Sequence, residues 1–419
     1  MFSQFSSLTS SIRDFLYENL EDAGHEDRIN LPSVEIHEVE TAPHKAGRTL
    51  KHLLKLNHAN YSILYHDLAF HNHMPHLLTS GYLLGGDSDH LNKLYEVESK
   101  DLEEWVDSPG EIPEEDWREY LGKKEYQRAF VDFFEDELVR YGYDWEKVVG
   151  KYLYSGKQPL INSLLEGLGH PLIHLGYAFE ISNREVAMEA LAMAATGYGD
   201  LHKFFDEPSY VEEVNSITPK YSTTSPLEIL NRIHADKRFN GIFKHPGAEN
   251  INILLRDYKP LVIAHWNAWN IIDPKRQFED SQHAAAAVFT ASTAKPNDFF
   301  LVHLLTSSHA VRILLPFVPA RFHVSLVRQW FLLTIAVYIA QLRPEIKPDT
   351  IKNHDLKGRN WAWVDEQGVR GKRASSVHYI KALRALKEAA NTWGDEDEFY
   401  LKAAVKFADQ FDGWGGFGP

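Results

Sequence analysis

The sequence predicts an all-α fold: a single large helical domain with a histidine-rich site between its core helices. The first observation is that apolar residues recur every three or four positions through long windows, which is typical of helices with one buried face. The second is that alternating strand patterns are scarce. The third is that apolar residues make up 44% and charged residues 25% of the 419 residues, as in folded globular chains. The clearest helical windows are residues 123–141, 158–168, 184–196, 299–315 and 378–391.

The charge balance and the missing cysteines exclude several classes of function. The chain has 44 Lys and Arg against 59 Asp and Glu, which gives a net charge of −15. An acidic surface repels nucleic acid and anionic lipid, so we expect no nucleic acid and no membrane as partner. Because there is no cysteine, the chain has no disulfide, no thiolate nucleophile, no zinc–thiolate site and no iron–sulfur cluster.

The domain organisation is predicted to be one continuous domain over residues 1–419, because no stretch is long or polar enough to be an interdomain linker. Residues 1–45 are predicted to be an N-terminal extension, and residues 343–373, rich in charge, Pro and Gly, an irregular loop region. The first residues lack the basic and apolar segments of a secretory signal, which favours a cytoplasmic location. The apolar stretch 330–342 is shorter than the roughly 20 residues of a bilayer span and is predicted to be a buried core helix.

Histidines are the residues most able to carry chemistry in this chain, which has 22 of them. Several recur in apolar segments at a spacing of three or four positions. Side chains at that spacing share one face of a helix, so the members of each pair can point at one centre. The residues predicted to lie at this site are His73, His76, His170, His174, His303, His309, His378 and Lys381.

These paired histidines favour a metal site in the helical core. Imidazole is a ligand for iron, copper, nickel or zinc, and the helices of a bundle can bring such ligands together. The structural alternative is that each histidine is a hydrogen-bonded core residue, which is the commoner role for a lone buried histidine. The chain has four histidine groups that are flanked by apolar residues. The structural alternative is therefore weaker for the four groups together than for any single histidine.

Other catalytic templates do not match. A carboxylate-bridged di-iron bundle needs Glu-x-x-His twice, and no histidine here has Glu three positions before it. The zinc protease pattern H-E-x-x-H, the G-x-S-x-G elbow and the Walker loop are absent. The glycine-rich segments LLGGDSDH and GLGHPLIHLG do not lie between a strand and a helix, so no Rossmann unit is recognised. Pro171 is typical of a first helical turn, which would place His170 at a helix start.

The same segments resemble the questin oxidase-like family of fungal and bacterial proteins. The matching stretches are HNHMPHLL, GHPLIHLGYAFE with VAMEALAM after it, LVHLLTSSHAVRILLP, and HYIKALRAL, in that order along the chain. They extend from about His58 to Leu386 and so cover most of the sequence.

The resemblance implies an oxidoreductase that cleaves, or inserts oxygen into, a ring of an anthraquinone-like aromatic polyketide. It implies ferrous iron held by histidines and a carboxylated lysine, here Lys381 of the HxxK motif, with His378 and Lys381 as the catalytic pair. Its partners would be a small aromatic substrate and dioxygen. Two alternatives stay open: a metal-independent Baeyer–Villiger-type monooxygenase that uses NADPH, and a non-catalytic helical protein that binds a polyketide.

Overall fold

A computed structural model describes residues 27–293 and 297–418. Most of the predicted N-terminal extension, residues 1–26 of 1–45, lies outside this part of the chain. The fold is all-α, as predicted, with 19 α-helices in the described residues. The first ten are α1 Lys45–Asn60, α2 Met74–Leu83, α3 Ser88–Glu98, α4 Gln127–Arg140, α5 Trp145–Tyr154, α6 Glu166–Glu180, α7 Arg184–Thr196, α8 Lys203–Asp206, α9 Pro208–Ser216 and α10 Pro226–Ala235. The other nine are α11 Glu249–Asp257, α12 Lys259–Trp266, α13 Pro274–Ala291, α14 Leu301–Leu314, α15 His323–Ala340, α16 Asp349–Lys352, α17 Trp361–Val369, α18 Val377–Trp393 and α19 Phe399–Gln410.

Short elements connect these helices. The two-residue strands β1 Leu64–Tyr65 and β2 Phe70–His71 pair antiparallel, with Leu64 opposite His71. This hairpin holds the chain just before α2. The 3-10 helices are Trp117–Tyr120, Lys124–Tyr126, Leu160–Ser163, Asp200–His202, Lys237–Phe239, Ala320–Phe322 and Glu396–Glu398.

Helices α2, α6, α14 and α18 pack against one another in the middle of the fold. Helix α6 contacts α2, α7 and α14, and α18 contacts α2 and α14. From residue 169 to its end, α6 is buried, and every residue of α14 is buried. Helices this apolar on all sides are found in the interior of a protein, so the histidines that they carry lie inside the core.

Helix boundaries follow the capping signals in the sequence. Helix α7 has the bounds 184–196 that the periodicity predicts. The Asn183 side chain accepts a hydrogen bond from the Val186 N–H at its start, and Gly197 follows its end. Such caps satisfy backbone groups that have no partner within the helix.

The predicted irregular region, 343–373, contains two helices, α16 and α17. Helix α17 begins because the Asn360 side chain accepts a hydrogen bond from the Trp363 N–H at 3.2 Å. Its residue Val364 is fully buried. The charge and glycine content of the segment does not predict these helices. Tertiary packing of a short buried face is enough to stabilise a helix of one or two turns.

The apolar segment around α15 is longer than the stretch 330–342 suggests. Residues Ala320–Ala340 are long and apolar enough, by length and composition, to cross a membrane. The length argument from the sequence is therefore wrong. However, 78% of the apolar window is buried inside the protein, and Trp330 is fully buried, so the prediction of a buried core helix is confirmed.

Candidate metal centre

Four imidazoles from four different elements form a closed ring in the core. His73 precedes α2, His170 begins the regular part of α6, His303 is on α14 and His378 on α18. Neighbouring ring centroids around this cluster are 4.7 to 5.0 Å apart. We call these four residues the histidine ring. Each is no more than 8% exposed.

The Nε2 atoms of the histidine ring face one another. His73 Nε2 is 2.8 Å from His170 Nε2, and His378 Nε2 is 3.2 Å from His303 Nε2. The Nδ1 atoms of His170 and His303 donate instead to the backbone carbonyls of Gly167 and Phe299, at 2.5 and 2.8 Å. An imidazole that donates from Nδ1 carries its lone pair on Nε2. Two of the facing nitrogens are therefore lone-pair donors, the form in which histidine binds a metal.

A nitrogen from each of His73, His170 and His378 lies within 4.8 Å of the other two, a separation that a single ion can bridge. Burial lowers the pKa of all four members of the histidine ring, for His303 to about 3, and the nearby Lys381 lowers them further. They are neutral at neutral pH. The residues therefore fit a metal ion, which needs unprotonated ligands.

A left-handed turn aims His170 at the ring. Gly167, Leu168 and Gly169 have φ of 54°, 63° and 79°, so regular α6 begins at His170, with Pro171 in its first turn as predicted. A Cβ at Gly167 would lie 2.8 Å from His71 Cε1, and the His71 ring stacks on His170 with centroids 4.2 Å apart. Only glycine fits there.

Gly169→Ala is expected to lower the free energy of unfolding by about 1 to 2 kcal/mol, because alanine is strained at positive φ and its Cβ would lie 3.2 Å from Ser307 Cβ. Urea denaturation measures this. Gly150→Ala, in helix α5 with open space around it, is the matched control and should raise stability by up to about 1 kcal/mol. Equal effects of the two substitutions would contradict a strained turn.

Lys381 lies one turn after His378 and is 1% exposed. Its Nζ has no hydrogen-bond partner in the described part of the chain. Burial lowers the pKa of its ammonium group to about 7, against the opposing charge of Glu98. A buried, charged lysine without a partner destabilises the fold. Near pH 7, about half of the Lys381 side chains are therefore neutral amines.

His76 and His174 form a second pair beside the histidine ring, with the His76 ring centroid 5.4 Å from that of His73. His76 Nε2 is 3.0 Å from His174 Nδ1, and His174 Nε2 is 2.8 Å from Glu189 Oε2. The other Glu189 oxygen is 2.8 Å from Nδ1 of His58, a residue of α1. Glu189 is on α7 and 2% exposed. Both predicted residues are at the site, but they are joined to a carboxylate that the sequence prediction did not include.

His309, predicted to lie at the site, is not one of the four members of the histidine ring. It is six residues after His303, which on a helix is about 240° around the axis. Its ring nitrogens have no hydrogen-bond partner among the described residues, and burial, then the charges of Arg384 and Arg312, lowers its pKa.

A cleft of about 850 Å³ lies beside the left-handed turn. Gly167, whose carbonyl holds His170, is part of its wall. The cleft has the size and the mixed lining of a small-molecule site. Its lining includes Glu166, Leu168, Phe204, Arg256, Lys259 and Leu333.

Residues 70–386 match the sequence profile of the questin oxidase-like family. The chain belongs to this family. Questin oxidase-like proteins are oxidoreductases, and this assignment argues against the alternative of a non-catalytic binding protein. The match includes every residue of the histidine ring together with Lys381, His76 and Glu189, whereas His58 precedes it.

Several fungal relatives resemble this questin oxidase-like chain over most of their length. A Baeyer–Villiger oxidase of Pestalotiopsis fici is 25% identical over 363 residues, which cover 80% of this chain and 79% of the relative. A questin oxidase of Aspergillus terreus is 26% identical over 384 residues, or 83% and 82%. A Baeyer–Villiger oxidase of Emericella nidulans is 24% identical over 416 residues, or 89% and 90%.

Proposed function

We propose that this chain is a non-haem iron oxygenase that cleaves, or inserts oxygen into, a ring of an anthraquinone-like aromatic polyketide. The observation that carries the proposal is the closed ring of four neutral imidazoles in the core, beside a buried lysine with no partner. The names of the relatives support the ring chemistry and the substrate class.

The histidine ring would hold the ion, and Lys381 would add an oxygen ligand. Its neutral amine forms an N–C bond with carbon dioxide and releases one proton, giving a carbamate. The lowered pKa supports this reaction, because only the neutral amine attacks carbon dioxide. Ferrous iron held there would supply the binding and activation of dioxygen. His378, one turn from Lys381 and in ring contact with His73, would link the lysine to the rest of the ligand set.

The substrate would lie in the cleft beside the left-handed turn. Leu168, Phe204 and Leu333 offer apolar faces to a flat ring system. Arg256 and Lys259, which are ion-paired with Asp257 and Glu213, would offer N–H donors to its phenolic oxygens. Burial raises the pKa of Glu166, in the same wall, to about 7. A carboxyl with that pKa can exchange a proton with a phenol at neutral pH.

A metal-independent Baeyer–Villiger monooxygenase that uses NADPH is the second candidate. The relatives in Pestalotiopsis and Emericella are named Baeyer–Villiger oxidases, which supports the reaction type of this candidate. In that case the imidazoles would serve as acid–base groups, and one NADPH would be consumed for each oxygen atom inserted.

Metal analysis together with oxygen uptake separates the two candidates. For protein purified without oxygen, we expect about one iron per chain, and oxygen consumption with hydroxylated anthraquinones that needs no NADPH and stops after chelation. Added ferrous iron should restore it. Full turnover after chelation with stoichiometric NADPH oxidation would overturn the iron proposal in favour of the second candidate.

A further inference from the structure

An unbroken chain of hydrogen bonds leads from the protein surface to the buried histidines beside the histidine ring. It starts at Glu135 on α4, whose side chain is 41% exposed, and ends at His76 on α2, which is fully buried. Each of its four links is 2.8 to 3.0 Å long. The links join Glu135 to His58, His58 to Glu189, Glu189 to His174 and His174 to His76.

The carboxylates determine where the protons lie along this chain. His58 faces a carboxylate oxygen on each side, so both of its nitrogens donate and it is a cation. Burial alone would lower the pKa of His58, but its hydrogen bonds to Glu135 and Glu189 raise it to about 10. Burial would raise the pKa of Glu189, but His174 and His58 lower it to about 2. The chain therefore holds a buried ion pair, His58 with Glu189.

The same argument assigns the proton positions at the buried end of this chain of hydrogen bonds. His174 donates from Nε2 to Glu189, so its Nδ1 accepts from His76 Nε2. The remaining nitrogen, His76 Nδ1, then carries a lone pair. It is buried and has no hydrogen-bond partner among the residues that the structure describes. His76 also lies against His73 of the histidine ring, with centroids 5.4 Å apart.

We propose that His58 and Glu189 are a proton port that exchanges protons between solvent, through Glu135, and the buried site, through His174 and His76. This inference depends on the proposed function for the identity of the proton, which the oxygenation reaction exchanges at the histidine ring.

The transfer balances without a change in net charge. A proton taken up at His76 Nδ1 moves His76 Nε2–H to His174, and His174 Nε2–H to Glu189, which becomes a neutral acid. His58 then releases its Nε2 proton through Glu135 to solvent and becomes neutral. One proton enters, one leaves, and the ion pair has become two neutral groups. Return of the proton to the product reverses each step, so the route needs no separate reset.

Proton NMR of the full chain tests the port without turnover. Imidazole N–H groups that donate to buried carboxylates should give resonances far downfield of the amides. We expect the signals of His58 and His174 in the parent protein, their loss in Glu189→Gln, and their retention in Asp136→Asn, which changes an exposed acid one position from Glu135. The signal of His202, whose Nδ1 is 2.6 Å from a buried Asp206 oxygen, should remain in all three proteins and serves as an internal reference. Absence of the His58 and His174 signals in the parent, or their survival in Glu189→Gln, would overturn the proposal.

Kinetics on the iron-loaded chain test proton transfer itself. His58→Ala should keep the parent's iron content and circular dichroism, while kcat with hydroxylated anthraquinones falls about 10- to 100-fold in dilute buffer. Added imidazole should restore most of the loss, which a purely structural role would not allow. His58→Gln is the second variant if alanine disturbs folding. A folded, iron-loaded variant with unchanged kcat, or with a loss that imidazole does not repair, would overturn the port.

The two proposals fail differently. If the parent protein turns over none of the anthraquinones, the proposed function fails, and the NMR result alone decides whether the port exists. If the parent is active and the His58 variants behave as the parent does, the port fails while the proposed function stands.

Discussion

Replacing His170 by alanine is expected to leave a folded chain that no longer holds iron. His170 is in ring contact with His73 and His303, and its Nδ1 is fixed by the Gly167 carbonyl. The substitution removes the imidazole that both His73 and His303 contact. We expect iron affinity to fall by more than about 100-fold, beyond the loss typical of supporting residues. Metal analysis after desalting measures this, and oxygen consumption should fall with it.

The matched control for that experiment is His309→Gln. Both histidines are buried on core helices, and the sequence predicts both to be ligands, but only His170 belongs to the histidine ring. His309→Gln should therefore keep about one iron per chain. Equal iron loss in both variants would mean that His309 contributes to metal binding as much as His170 does. Iron retained by His170→Ala would remove the histidine ring as the metal centre.

Replacing Lys381 by methionine is expected to make the metal-free protein more stable and the enzyme inactive. The lysine is buried without a partner, and methionine has a similar shape without the charge. Removing the desolvation cost should raise the free energy of unfolding near pH 7 by about 2 to 4 kcal/mol. The same change removes the group that would carry the carbamate, so oxygen consumption should fall at least about 100-fold.

The pH dependence of stability identifies Lys381 as the cause. Because burial lowers its pKa from 10.5 to about 7, the unfolded chain binds more protons than the folded one between these values. Lys381 should therefore contribute a rise in the stability of the metal-free protein of about 1.4 kcal/mol per pH unit between pH 7 and 9. His58, whose pKa is raised to about 10, contributes a fall of similar size over the same range, so the effect of Lys381 is read from the difference between the parent and a variant. The cost of the buried charge is fully present below pH 7. Urea titrations in buffer free of carbon dioxide measure the slope.

Two variants test whether this pH dependence of stability comes from Lys381. In Lys381→Met the contribution should vanish. Lys387→Met, on the same helix but in a partly exposed ion pair with Asp365, should keep the slope and change stability by less than about 1 kcal/mol. A stability difference between the methionine variant and the parent that does not shrink as the pH rises from 7 to 9, or a methionine variant less stable than the parent near pH 7, would contradict an unpartnered buried lysine.

The fold class was predictable because helix spacing is a local property. Residues 184–196 form a helix at the predicted bounds, since Asn183 and Gly197 are capping signals beside an apolar window. The predicted irregular loop region, 343–373, also contains two helices that the prediction did not include. Its helices depend on a few buried contacts, such as that of Val364, and these are set by tertiary packing rather than by neighbouring residues.

The candidate site was predictable in composition more than in geometry. Pairing at helical spacing brought out His170 and His378, but it could not tell which face of a helix meets the centre, and so it included His309. Two residues were missed altogether. Glu189 carried a signal, since it is a lone acid in the apolar run VAMEALAM, whereas His58 precedes any apolar histidine pair and gave none.

The members of the histidine ring are spread from residue 73 to residue 378, across most of the chain, and no two of them come from the same helix. No fragment released early from the ribosome can therefore assemble the site. Under the proposed iron function, an ion would be captured only after synthesis is almost complete. Because the unfolded chain would have no equivalent site, each bound ion would shift the folding equilibrium toward the native state.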